Sequence, residues 1–193
     1  MILPRIAKLL LKLGGWTAVG RHPDVQKAVF IGAPHTSNWD GFWALVYTTS
    51  IGLKVKFFVK DSMFWFPMGN LLRAFGGIPL DRKNARSSVS EAIAEFDHCD
   101  QFYFGLAPEG TRSHTPGWKS GFYRIAEGAN VPIFFGFFDY GTKRLGLGPM
   151  MTLTGDQQAD LVIIGSYYKA VEGRWPEKTS PRVFSRFSRI ASG

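Results

Sequence analysis

The sequence predicts an α/β fold: a single domain with a central, mostly parallel sheet flanked by helices, preceded by a short basic amphipathic N-terminal helix. Short runs rich in Val, Ile and Phe alternate along the chain with segments of helical period, and polar loops follow several of the strand-like runs. Size agrees, because 193 residues of which 45% are hydrophobic can bury one substantial core. The expected division is a helical segment over 1–15 and one folded domain over 16–193.

The N-terminal segment comes first. At about 100° per residue, Ile2, Leu3, Ile6, Leu9, Leu10 and Leu13 share an arc of roughly 120°. Arg5, Lys8 and Lys12 cluster beside it, and Pro4 suits a first turn. Such a helix fits a membrane interface, and it equally fits a helix packed on its own domain with solvated lysines.

After Gly14-Gly15 the alternation begins. Residues 27–33 form an apolar strand, 38–50 a helix and 54–60 a strand. Residues 62–75 read as helical with an irregularity at Pro67, and 78–80 as a short strand. In the next helix Val89, Ala92, Ile93 and Phe96 stand at i, i+3, i+4 and i+7 behind a Ser88-x-x-Glu91 capping box. Strands at 101–106 and 131–138 flank a helix carrying Phe122, Ile125, Ala126 and Ala129. The apolar run 160–168 reads as a further strand, and the tail after Pro176 as a loosely held basic segment. The run Phe64-Trp65-Phe66-Pro67-Met68 reads first as core, second as the lining of an acyl tunnel or a membrane contact.

Composition narrows the partners. The net charge of +8 favours anionic ones: nucleic acid, an acidic membrane, a coenzyme phosphate or an acidic carrier protein. The basic residues are spread along the chain and no nucleic-acid-binding motif occurs, which argues against nucleic acid. Cys99 is the only cysteine, so no internal disulfide forms and no C-x-x-C metal spacing exists; a reducing cytoplasm is the expected compartment. The uncharged run from Gly41 to Leu53 falls short of the roughly 20 residues that span a bilayer. No signal-peptide pattern is recognised either.

Three strand-to-loop junctions concentrate polar residues: 33–40 with His35 and Asp40, 76–82 ending in Arg82, and 107–113 with Glu109, Gly110, Thr111 and Arg112. In α/β sheets ligands gather beyond the carboxyl ends of strands, so these loops can share a site. In one continuous helix, an offset of five residues turns His35 and Asp40 about 140° apart. They meet only if a helix starts between them, with Ser37 or Thr36 as N-cap. Asp40 could then hold the imidazole in one tautomer while His35 takes a proton from a hydroxyl. The same residues satisfy a Ser37-x-x-Asp40 capping box, a purely structural use. Arg82, Arg112 and nearby Lys119 suit phosphate, or are simply surface cations of a basic protein. Glu109 orients an arginine, contacts a hydroxyl or forms a structural ion pair.

The order H-x4-D, G-x-I-x-x-D-R, P-E-G-T-R-S and V-P-I falls at His35–Asp40, Gly76–Arg82, Pro108–Ser113 and Val131–Ile133. It resembles the glycerolipid acyltransferase family typified by lysophosphatidate acyltransferases. The resemblance implies an O-acyltransferase that carries a fatty-acyl group from acyl-CoA or acyl carrier protein to a lysophospholipid hydroxyl. It implies no covalent intermediate, no metal and no resident cofactor. His35 would be the general base and Asp40 its partner. Arg82, Glu109, Gly110, Thr111, Arg112 and, by position, Lys119 would form the phosphate-binding site. Peripheral contact with the cytoplasmic membrane face is expected. Pro34 stands where the family often has Asn, and Pro79 where it has Phe. These departures leave the acceptor open between lysophosphatidate and another lyso-lipid, such as an amino-acid-containing one. A non-catalytic phospholipid-binding module is the rival class.

Overall fold

The molecule is described here by a computed structural model covering residues 2–80 and 85–183. Seven strands form one sheet: β1 (Thr17–Val19), β2 (Lys27–Ala33), β3 (Lys56–Lys60), β4 (Gly77–Leu80), β5 (Phe102–Leu106), β6 (Ile133–Asp139) and β7 (Arg144–Met151). Their order is β1-β7-β6-β2-β5-β3-β4, and every neighbouring pair is parallel except β6 with β7. The helices are α1 (Leu3–Leu13), α2 (Asn38–Ser50), α3 (Met68–Ala74), α4 (Ala85–His98), α5 (Gly121–Gly128) and α6 (Gln157–Tyr168).

Strand β2 shows how the layers arise. Successive side chains of a strand point to opposite faces. Val29, Ile31 and Ala33 therefore enter one core with Phe96 of α4, Phe122 and Ile125 of α5, and Leu161 and Ile164 of α6. Ala28 and Phe30 enter a second core with Ala7 and Leu11 of α1 and Val46 and Tyr47 of α2. A strand buried on both faces is a continuous apolar run, as read from 27–33.

Helix α1 is amphipathic as expected, but its apolar arc faces outward. Only Ala7 and Leu11 are buried against α2, while Ile2, Leu3 and Leu13 are at least 70% exposed. Small Ala7 lets the two helices approach, and the wide leucine face is left free. The chain also carries Trp65 and Phe66 at 60% and 82% exposure, which overturns the reading of this aromatic run as core.

Other expectations need correction. Residues 160–168 are not a strand; they belong to α6. Asp156 N-caps this helix, its carboxylate accepting from Gln158 N–H at 2.9 Å and Ala159 N–H at 3.1 Å. Leu161, Ile164 and Tyr168 are buried at helical spacing, and the contiguous Leu161-Val-Ile-Ile164 run masks that period. Ser88 lies inside α4 and does not cap it, because the helix already includes Ala85. Strand β7 carries a weak sequence signal because Gly146, Gly148 and Pro149 are poor strand formers. Gly146 is required there: its φ is +143°, and a Cβ would stand 2.0 Å from Val19 O. The described part of the tail is held firmly, with Ser180 buried and bonded to Thr115 and Val183 O accepting from Trp118 N–H at 2.7 Å.

Asp160 ties α6 to its surroundings. Fully buried, it accepts from Tyr123 OH at 2.8 Å and from Thr154 N–H and Oγ1–H at 3.0 and 2.8 Å. Replacing it by Ala orphans these donors, so Asp160→Ala is expected to lose about 3 kcal/mol of unfolding free energy in urea titrations.

Candidate active site

Strands β2 and β5 are adjacent and parallel, with Ile31 opposite Leu106. The loops that follow them, beginning at Pro34 and Ala107, therefore leave the sheet side by side at its carboxyl edge. The third motif loop follows β4; Asp81 and Arg82 lie outside the described residues, so no position is assigned to Arg82.

Helix α2 starts between His35 and Asp40, as their pairing demands. Ser37 is the N-cap in extended conformation, its hydroxyl accepting from Trp39 N–H at 3.2 Å. Asp40 is wholly buried. Its Oδ2 accepts from Thr36 N–H and Ser37 N–H, both at 2.8 Å, and lies 3.2 Å from His35 Nδ1. Its Oδ1 accepts from Tyr140 OH at 2.8 Å. The capping box and the His–Asp pair thus coexist on one carboxylate. With Nδ1 held, the Nε2 of His35, a side chain 23% exposed, is the nitrogen left to meet a substrate.

Glu109 is 2% exposed, and its Oε1 accepts the backbone N–H of His35 at 3.2 Å. It therefore braces the loop that carries the imidazole. Among the described residues its Oε2 is buried without a hydrogen-bond partner. Burial pushes the Glu109 carboxyl above its ordinary range, and its own N–H, the His35 N–H and the His35 charge oppose the rise. Arg182 is shifted down by burial, with the Glu109 charge acting the other way.

The remaining predicted residues sit on the same loop. Gly110 takes φ +65°, and the place of its missing Cβ lies 3.0 Å from Lys119 Nζ, so that lysine folds over the turn. Thr111 is half-buried, and Arg112 and Lys119 are exposed; neither cation is ion-paired among the described residues. The loop thus carries two available positive charges next to the element that holds His35.

A cavity of about 690 Å³ opens beside the pair, with His35 and Asp40 in its wall. The rest of the wall is mainly apolar and includes Phe30, Leu45, Phe58, Phe75 and Phe138. It also includes Leu3 and Pro4 of α1. Its cause lies in the sheet register. Gly32 on β2 pairs with Gly136 on β6, and Gly105 on β5 pairs with Phe30. At these positions three adjacent strands offer glycine on the face toward α2, and all three glycines line the cavity. The volume lies within the roughly 300–1,000 Å³ usual for small-molecule pockets.

Several neighbours of the pair had no signal in the sequence. Tyr140, just past β6, reaches Asp40 across 100 positions. Its N–H bonds Glu172 O, and Trp175 N–H bonds Thr36 Oγ1 at 3.2 Å, so residues 172–175 cross the His35 loop as a strap. Arg174 on this strap stacks over Trp39, Tyr140 and Trp175 at 5.5–6.0 Å. A Pro and a Gly in 173–176 mark only a turn, and nothing in their spacing points to His35.

The crystal structure of the 1-acyl-sn-glycerophosphate (LPA) acyltransferase PlsC from Thermotoga maritima is similar to this fold, with a TM-score of 0.58 and 17% sequence identity over 90% of this chain and 79% of that one. No match was found among curated proteins. The Acyltransferase family model matches residues 19–134, a span that includes His35, Asp40 and the Glu109–Arg112 loop. The chain belongs to the Acyltransferase family.

Proposed function

We propose that this chain transfers a fatty-acyl group from a thioester, acyl-CoA or acyl carrier protein, to the hydroxyl of a lysophospholipid such as lysophosphatidate. The observation that carries the reading is the juxtaposition of His35, held through Nδ1 by a buried and fully bonded Asp40, with a large apolar cavity. Such a pair prepares a base, and the cavity suits an acyl chain. The 1-acyl-sn-glycerophosphate (LPA) acyltransferase of like fold supports the same acceptor class.

The step follows from these parts. Nε2 of His35 accepts the proton of the acceptor hydroxyl as its oxygen attacks the thioester carbonyl. Asp40 stabilises the imidazolium that forms. Collapse of the tetrahedral intermediate breaks the C–S bond, the imidazolium returns the proton to the departing thiolate, and the new ester leaves. No acyl-enzyme is required. Arg112 and Lys119, together with Arg82 of the 76–82 motif, supply the charge for the acceptor phosphate.

We further read the protein as working on the surface of a membrane. The exposed arc of α1 (Ile2, Leu3, Ile6, Leu9, Leu10, Leu13) has Trp39 and Phe42 of α2 as exposed companions, and Leu3 itself lines the cavity. Among the described residues no helix is long and apolar enough to cross a bilayer. Contact therefore rests on lying in the interface, where each fully buried leucine contributes about 1.5–3 kcal/mol.

Three outcomes are expected. His35→Ala loses at least about 100-fold in kcat with labelled acyl-CoA or acyl carrier protein and a lyso-lipid panel, its circular dichroism unchanged; full activity would sink the mechanism. Gly32→Leu places a side chain in the cavity, so donors of long acyl chain lose about 10-fold in kcat/KM while short ones are spared. An equal loss for all lengths would remove the cavity from acyl binding. Leu9→Glu with Leu13→Glu abolishes flotation with phosphatidylglycerol vesicles and leaves Tm within a few degrees of the parent. Unchanged flotation would remove α1 from the membrane contact.

A further inference from the structure

Asp40 places a negative charge in a fully buried position, and such a charge is stable only when its oxygens are bonded. Three of its four close partners are local: Thr36 N–H, Ser37 N–H and the His35 ring all meet Oδ2. Its other oxygen, Oδ1, has Tyr140 OH as the donor seen here, at 2.8 Å. We propose that Tyr140 is a positioning residue of the reaction, acting through Asp40 to set the orientation and basicity of His35.

The inference rests on the reading of His35 as general base, and it lies outside the span matched by the family model, which ends at 134. The tyrosine is held on every side. Its ring meets Trp16 edge-on at 4.9 Å between centroids, and its N–H is bonded to Glu172 O. Lys143 and Arg174 lie over the ring at 5.8 and 6.0 Å. Burial and the Asp40 carboxylate push its hydroxyl far above the ordinary tyrosine range, with Arg174 opposing, so it remains a donor throughout the working pH range. Among the described residues, the charged and titratable groups facing the His35–Asp40–Tyr140 chain are Glu109 at the His35 backbone, Lys143 at the Tyr140 ring, and Arg174 at its ring and hydroxyl.

The sign of the effect follows from the bond. A donor on Oδ1 disperses the Asp40 charge and weakens its hold on the imidazolium. Removing that donor makes Asp40 the stronger partner, so the His35 imidazolium is favoured and its pKa rises. A stronger donor at 140 must do the reverse. A ring that merely fills space would do neither.

The test is the titration of the His35 ring by ¹H–¹³C NMR on the folded protein, its resonance assigned by loss in His35→Ala. Tyr140→Phe is expected to raise the His35 pKa by about half a unit and to move the acid limb of kcat/KM upward by the same amount, with kcat down about 10-fold. Replacement of Tyr140 by 3-fluorotyrosine keeps the ring and sharpens the donor, and is expected to lower the His35 pKa. In an Asp40→Asn background the Phe substitution is expected to leave the His35 titration in place, since no charge remains to be dispersed. No shift with either replacement, a fall in Tyr140→Phe, or equal shifts in both backgrounds would overturn the proposal. Should His35→Ala abolish transfer while the titration ignores residue 140, only this inference fails. Should His35→Ala retain full transfer, the general-base reading fails with it.

Discussion

The buried carboxylate of Asp40 is the constraint around which the site is arranged. A charge with no solvent contact needs donors from every direction it can reach. Two of them are backbone N–H groups, of Thr36 and Ser37, and these fix where α2 begins. A third is the ring of His35, which thereby presents its other nitrogen outward. The fourth belongs to Tyr140, beyond β6, so the end of the sheet is tied to the first turn of the helix. A structural cap and a catalytic orientation are usually weighed as alternatives. Here one carboxylate makes the capping contacts and also meets the imidazole, because its helix starts between it and the histidine.

The same division of labour recurs at Glu109. It comes from a different loop, yet it binds the N–H of His35 and so braces that residue from the opposite side. Cations exposed on its loop remain free of ion pairs among the described residues, and Lys119 lies over Gly110. The loop therefore carries a buried acid that holds the His35 backbone and, apart from it, exposed positive charges. Their closeness follows from the pairing of β2 with β5, which aligns the two loops at the sheet edge.

What was legible in the sequence was local. The strand over 27–33 and the helix over 38–50 were read at the bounds observed, because an apolar run and an Ser37 cap are signals of neighbouring residues. The start of α2 between His35 and Asp40 followed from helix geometry. The features without a local signal depend on partners far along the chain. Tyr140 meets Asp40 from 100 positions away. The cavity wall brings Gly32, Gly105 and Gly136 to one face, which only the register of β2, β5 and β6 reveals. Helix α6 reads as a strand in the sequence because Val162 and Ile163, both exposed, fill in the gaps of its helical period. The outward arc of α1 shows the reverse case: its periodicity was plain, but periodicity alone does not say which side of a helix faces its neighbours.

The strap of residues 172–175 bears on what counts as the smallest portable unit of this protein. The family match stops at residue 134, inside β6, whereas Tyr140, the Glu172 carbonyl and the Trp175 N–H that clasp the His35 loop all come later. An excised fragment ending at the match would carry every recognisable motif and still lose the antiparallel partner of β6 and the outer donor of Asp40. The motif-bearing region thus leaves out part of the sheet and of the hydrogen bonding around His35 and Asp40. A chimera that grafts it onto another scaffold carries His35 and Asp40 without the Tyr140 and Trp175 contacts that clasp them here.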